Sequence, residues 1–254
     1  MNIYTKNLNR IEFMMTLACT GKCKHCSEGT HDASGTFIER DAAVDAVRKV
    51  AGQYKMESLM TFGGEPLLQW ESVCSIHAAA RDVGIPQRQL ITNGYFTKDN
   101  EKIEFVVREL GKSGVNVILL SVDAFHQETI PLEVVKEFAA AAKRENIYIR
   151  TQPAWLGGEK ADNPYNQETR KILKEFEIMG IEASEGNTIF PAGNALNYLK
   201  EYFDSDNTVE NPYVEDPWDI RSICIGPEGN VLGDNIYQKD ILEILSDYVP
   251  ISHY

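Results

Sequence analysis

Along this chain, short apolar runs of strand length alternate with longer segments of helical period. The runs are IEFMMTL (11–17), SLMTF (58–62), RQLITN (88–93), VNVILLSV (115–122), IYIRTQ (147–152) and the less regular IEASEGNTI (181–189). VNVILLSV is β-branched or aliphatic at nearly every position, as a strand covered on both faces should be. Between the runs, residues 39–53 place Ala43, Val44, Val47 and Val50 on one helical face. Helices are likewise predicted over 68–83, 98–112, 131–145 and 165–179; Pro131 opens one of them, where its missing N–H costs nothing.

Six strand–helix units in a row predict a parallel sheet with right-handed crossovers. The fold class is therefore α/β. A partial (β/α)6 TIM-like barrel fits better than eight units, which would leave no room for the chain after residue 200. An open doubly wound sheet satisfies the same periodicity. The tail has a different character. SICIGPEGNVLG (222–233) reads as two short strands about the turn Pro-Glu-Gly-Asn, where Gly229 can take positive φ, and KDILEILSDY (239–248) as a closing helix. The expected division is a core over 1–200 and, over 201–254, an acidic loop with a small C-terminal β-hairpin/helix appendage.

Composition narrows the classes. A hydrophobic fraction of 43% with 25% charged residues belongs to an ordinary globular chain able to build a core. The formal charge of −13 argues against nucleic acid as a partner, because phosphate binding needs clustered cations. No apolar run reaches membrane-spanning length, and the N-terminus lacks a signal-peptide layout, so no membrane partner and a cytoplasmic location are expected. The acidic stretch 201–219 reads as a solvated loop; attraction of a basic peptide is the weaker alternative.

Of the five cysteines, Cys19, Cys23 and Cys26 form a C-x3-C-x2-C loop, while Cys74 and Cys224 stand apart. Such clustering suits a metal site better than a disulfide framework. Three thiolates this close can hold three irons of one [4Fe–4S] cluster, with Gly21 letting the loop fold around it and the fourth iron left open. Structural zinc competes for the same residues, since His25 or His31 would complete a Cys3His set. A zinc-stabilised interaction domain is the corresponding reading outside enzymes.

C-x3-C-x2-C after a first strand, followed by Phe62-Gly63-Gly64-Glu65-Pro66 after a second, resembles the radical S-adenosylmethionine (SAM) superfamily. The resemblance extends by element order over roughly residues 11–195. It implies that SAM binds the open iron and that Gly63, Gly64, Glu65 and Pro66 cradle its amino group. A one-electron donor such as flavodoxin or ferredoxin would drive cleavage to a 5′-deoxyadenosyl radical, which takes hydrogen from the substrate. Asn93, Ser121, Asp123, Gln152 and Asn194 are the further candidates for binding SAM. All fall at the carboxyl ends of strands, where parallel barrels build active sites. Asn194 stands where relatives often carry arginine, in Pro191-Ala-Gly193-Asn194.

His126, just beyond the fourth strand, is the candidate acid or base, with a loop histidine as the plainer reading. Trp155, Tyr165 and Asn166 are candidates for a substrate lid; His77 and Cys74 read as packing residues. The tail around Cys224 resembles the C-terminal extension of members that modify peptides, but lacks the further cysteines of an auxiliary cluster. One cluster per chain is therefore expected. A peptide or protein substrate leads. A small metabolite is the alternative, favoured by the absence of anything resembling a leader-binding domain before Ile11.

Overall fold

A computed structural model describes residues 2–29, 31, 35–203 and 209–250. Five parallel strands appear where the apolar runs predict them: β1 (Arg10–Met14), β2 (Ser58–Phe62), β3 (Gln87–Thr92), β4 (Val117–Leu120) and β5 (Tyr148–Thr151). Between them run α1 (Arg40–Gln53), α2 (Trp70–Asp82), α3 (Asn100–Ser113), the short α4 (Ala124–Gln127) and α5 (Leu132–Arg144). The six-stranded sheet is mixed with helices in an α/β architecture consistent with a partial TIM-like barrel.

The sixth strand of that sheet differs from expectation. Residues 181–189 supply a bridge from Ala183 to Thr151 and the two-residue β7 (Asn187–Thr188), paired with β6 (Ala154–Trp155). The sheet's sixth member is instead β8 (Ser222–Ile225), beside β1 in the order β5-β4-β3-β2-β1-β8. Ile223 and Ile225 supply its apolar positions and alternate in burial with Ser222 and Cys224. The segment 181–189 carries two glutamates, a glycine and an asparagine, too polar for a strand covered on both faces. The two short strands expected about Pro227–Asn230 both form but do not make a hairpin with each other: β8 joins β1, and β9 (Asn230–Val231) pairs instead with β10 (Asp234–Asn235), followed by α8 (Ile241–Asp247). The turn at Gly229 has φ +83°, as read from the sequence.

Strand alternation divides the core from the site. On β1, Ile11 and Phe13 are fully buried, while Arg10, Glu12 and Met14 line a cavity on the other face. Leu59 and Met60 divide β2 in the same way, as do Leu90 and Ile91 on β3. Apolar faces of α1, α2, α3 and α5 cover the first set and form one continuous core with it. Good local signals place the helices. Asp99 caps α3 by accepting from Glu101 and Lys102 N–H groups, and Gly114 ends it at φ +98°. Two further helices, α6 (Pro164–Ile178) and α7 (Gly193–Tyr198), follow β5. No helix among the described residues is long and apolar enough to cross a membrane.

Candidate active site

The cysteine loop leaves the carboxyl end of β1 and folds over a cavity of about 780 Å³ on the strands' inner face. Cys19, Cys23 and Cys26 all line it. So do Gly63, Gly64, Asn93, Ser121, Gln152 and His126 from later strand ends. One wall thus gathers groups from four crossovers, as a parallel sheet must when its loops carry the chemistry.

Donors around the sulfurs suit thiolates. Asn93 Nδ2 donates to Cys19 Sγ at 3.7 Å and Gly21 N–H donates to the same sulfur at 3.4 Å. Burial pushes the free Cys19 thiol up to about 11, and raises Cys23 and Cys26 as well. Without a metal these side chains therefore stay protonated; bound iron would displace the protons and be stabilised by the N–H donors. Three soft ligands with no fourth cysteine in the loop fit a cluster with one open iron. Two histidines stand close by. His31 Nε2 lies 3.0 Å from Cys26 Sγ, and the ligand atoms of Cys23, His25 and His126 lie within 4.8 Å of one another.

Residues 63–66 act chiefly on the protein itself. A Cβ on Gly64 would fall 2.1 Å from the Ala18 carbonyl oxygen, and one on Gly63, at φ +145°, 2.5 Å from that of Thr16. Gly64 N–H donates to Thr16 O at 2.7 Å and Glu65 N–H to Ala18 O at 2.8 Å. The two glycines therefore let this turn press against the start of the cysteine loop, with their open faces in the cavity. Glu65 and Pro66 are buried beneath it and do not line the cavity. The Glu65 carboxylate accepts from Thr92 Oγ1 at 2.6 Å, Leu67 N–H at 2.9 Å and Asn93 N–H at 2.9 Å. Burial raises its pKa to about 7 against the pull of those donors. Its geometry is that of a brace holding Asn93 toward Cys19.

Asp123 is also a brace. Fully buried, it accepts from Phe125 N–H, His126 N–H, Ala154 N–H and, at 2.8 Å, His126 Nδ1. Burial opposes ionisation, yet His126 and these donors hold the carboxyl well below the usual range. The bond to Nδ1 fixes the His126 ring, which reaches the cavity beside His25 at a centroid separation of 4.8 Å. Burial pushes the His25 imidazole down to about 4.

Asn194 lies outside the cavity too. Its Nδ2 donates to Cys23 O at 3.1 Å and its backbone N–H to Cys26 O at 2.8 Å. Gly193 next to it, at φ +50°, comes so near that a Cβ would meet Ser27 O at 2.3 Å. The 191–194 turn therefore clamps the cysteine loop from above.

Other residues resolve differently from the sequence reading. Trp155 is buried and donates to Glu185 O, and Tyr165 stacks on Phe125 at 4.5 Å. Asn166 holds the 156–161 loop through Leu156, Gly158 and Ala161. None of these three lines the cavity, so none stands as a lid over it. His77 is buried against Thr61 Oγ1 at 2.9 Å. Within the acidic stretch, residues 204–208 lie outside the described residues, but Asn211 and Tyr213 line the cavity. Arg10, Glu12 and Cys224 were not singled out as site residues. The signal for the first two was present: in the period-two strand RIEFM, charges at 10 and 12 share a face with Met14.

A family model described as the radical SAM superfamily matches residues 13–148. No curated protein matches the chain. Among solved structures, Streptococcus suis SuiB bound to its precursor peptide SuiA aligns at 14% identity with a TM-score of 0.61, over 95% of this chain and 65% of SuiB. This chain thus spans less than two thirds of that relative. The anSMEcpe structure with bound AdoMet and the Cp18Cys peptide aligns at 13% identity and TM-score 0.56, over 92% and 75%. BtrN in complex with AdoMet and 2-DOIA aligns at 12% and 0.50, over 94% and 82%.

Proposed function

This chain belongs to the radical SAM superfamily, and on that premise we propose that it is a SAM-cleaving enzyme acting on a peptide or protein side chain. When bound, the superfamily's [4Fe–4S] cluster and SAM supply a reductive cleavage that yields a 5′-deoxyadenosyl radical able to take hydrogen from a substrate. In this proposal Cys19, Cys23 and Cys26 hold the cluster. Gly63, Gly64, Asn93, Ser121 and Gln152 contact SAM, and Glu65, Asp123 and Asn194 hold those contacts in place.

The observation that carries the reading is that one cavity collects the three thiols and the strand-end polar groups. The cavity wall gives each group a task. Asn93 donates to Cys19 and keeps the loop turned inward. Gly63 and Gly64 keep that side of the cavity open to an amino-acid moiety. Met14, Met60, Phe62 and Leu119 make an apolar floor that excludes water from a reactive carbon. His126, oriented by Asp123, offers its free face to the substrate.

A peptide substrate is supported by the SuiB and anSMEcpe complexes, whose bound partners are peptides. Glu28 on the cavity wall adds a negative charge suited to a basic segment, while Glu12 there is paired with Arg10. BtrN, whose complex holds 2-DOIA, supports the small-metabolite reading. A flavodoxin or ferredoxin as electron donor, and a reducing cytoplasmic setting, belong to the same proposal.

Anaerobic reconstitution with iron and sulfide should give brown protein, and SAM with dithionite should give 5′-deoxyadenosine. Colourless protein containing stoichiometric zinc, or a loaded cluster without product, would overturn the proposal. A precursor peptide encoded beside the gene should raise 5′-deoxyadenosine formation severalfold. Stimulation by metabolites alone would favour the other substrate class.

A further inference from the structure

The inner face of β8 carries a thiol that the cluster does not use. Register pairs Cys224 with Glu12 across the parallel β1–β8 ladder, so both side chains enter the cavity at the same depth. That level is two residues below Met14, beneath the cysteine loop. Cys224 is solvent-accessible within the cavity although protein surrounds it on most sides. Ile223 and Ile225, its neighbours, face the core instead. A packing cysteine belongs on their face.

Accepting the SAM-cleaving reading above, we propose that Cys224 is a catalytic residue, the hydrogen-atom donor that quenches the substrate radical formed in this cavity. Its place in the same chamber as the cluster cysteines sets it apart from a stray surface thiol, and the Glu12 register supports the chemistry. A thiol donates a hydrogen atom only while protonated. Burial first, and then the negative charge of Glu12, push the Cys224 thiol up to about 12.

The step balances as follows. Hydrogen abstraction leaves an unpaired electron on a substrate carbon. The S–H bond of Cys224 breaks homolytically, a new C–H bond forms, and the unpaired electron moves to sulfur. One electron from the low-potential donor and one proton from solvent then restore the thiol. Turnover therefore consumes one SAM and two electrons, and the substrate leaves with its hydrogen count unchanged. The reaction class is inversion of a C–H centre, with no net oxidation.

SAM alone serves as the probe, because the radical formed without substrate meets the same wall. In D2O the Cys224 thiol carries deuterium, so 5′-deoxyadenosine from the wild-type holoenzyme should gain one deuterium. In Cys224→Ser, whose O–H bond is too strong to donate, the labelled fraction per 5′-deoxyadenosine formed should fall at least tenfold; Cys224→Ala provides a second variant if the serine protein misfolds. Unlabelled wild-type product would overturn the inference while leaving SAM cleavage intact. So would label lost in Tyr213→Phe but kept in Cys224→Ser. Absence of 5′-deoxyadenosine from a loaded cluster would overturn both readings. A measurement without turnover completes the test. SAM without reductant should slow N-ethylmaleimide labelling of Cys224 severalfold, read by peptide mass. An unchanged labelling rate would count against the thiol's place at the site.

Discussion

Asn194 donates from Nδ2 to the carbonyl oxygen of Cys23 at 3.1 Å, joining residues 171 apart in sequence. This bond and the Asn194 N–H donation to Cys26 O tie the last strand-end turn to both ends of the C-x2-C segment. The loop that would hold iron is thus shaped from outside itself. Asn194→Ala removes the side-chain donor and leaves the Cys23 carbonyl with only the Cys26 N–H at 3.3 Å, costing about 0.5–1.5 kcal/mol. Outer-shell losses typically lower metal affinity about tenfold or more. Iron should therefore leave the reconstituted variant faster under chelator than it leaves wild type; equal loss rates would refute the clamp.

Two glycines make a matched pair of tests. Gly64→Ala places a methyl group 2.1 Å from the Ala18 carbonyl oxygen, where only backbone can yield. The expected cost is on the order of 3 kcal/mol, seen in urea unfolding or as insoluble protein. Gly52, inside α1, has nothing within 4 Å of its would-be Cβ. Gly52→Ala should stabilise by roughly 0.5–1 kcal/mol through helix propensity. A neutral Gly64→Ala would show that the turn and the cysteine loop are not pressed together.

Asp123→Asn swaps a carboxylate with four N–H donors for an amide with a single acceptor oxygen. At least one donor from the set of Phe125, His126 and Ala154 is then left buried and unpaired. A loss of about 2–4 kcal/mol is expected from the broken charged hydrogen bonds. The fall should appear as a lower urea midpoint with unchanged m-value, and a midpoint equal to wild type would contradict it.

His77 sets an acid limit on stability that is independent of the metal. Burial, with the charge of Arg88 added, depresses its imidazole from 6.5 to about 3, and Nδ1 has no partner for a second proton. The unfolded chain binds that proton more readily, so the stabilisation is complete above pH 6.5 and is lost as pH falls toward 3. From pH 7 to pH 5 the loss from this residue is about 2 kcal/mol. His77→Gln should flatten that part of the stability–pH curve. An unchanged slope would show that His77 already titrates near its ordinary value.

Much of the architecture was legible along the chain. Period-two and period-3.6 patterns located five strands of the sheet and the helices between them, because burial on one face imposes those periods wherever a segment sits. The C-x3-C-x2-C loop and Gly63–Gly64 were legible for a related reason: local chemistry and a need for small residues both leave a mark on sequence. The sixth strand was not, since 181–189 and 222–225 are both short and their pairing depends on what lies beside β1.

Determined by sequence alone, then, are the alternation of strand and helix, the cluster of thiols, and the strand-end placement of polar groups. Tertiary structure alone decided which of those groups face the cavity and which brace others from behind. Glu65 and Asp123 read as ligand contacts until their carboxylate oxygens met protein donors, and Asn194 until its Nδ2 met the Cys23 carbonyl 171 residues away. It also set Cys224 beside Glu12, through a register that no local pattern encodes. Side-chain period settles which residues share a face of one strand. Which strand lies next to it, and at what depth, follows from long-range pairing and the packing of the whole sheet.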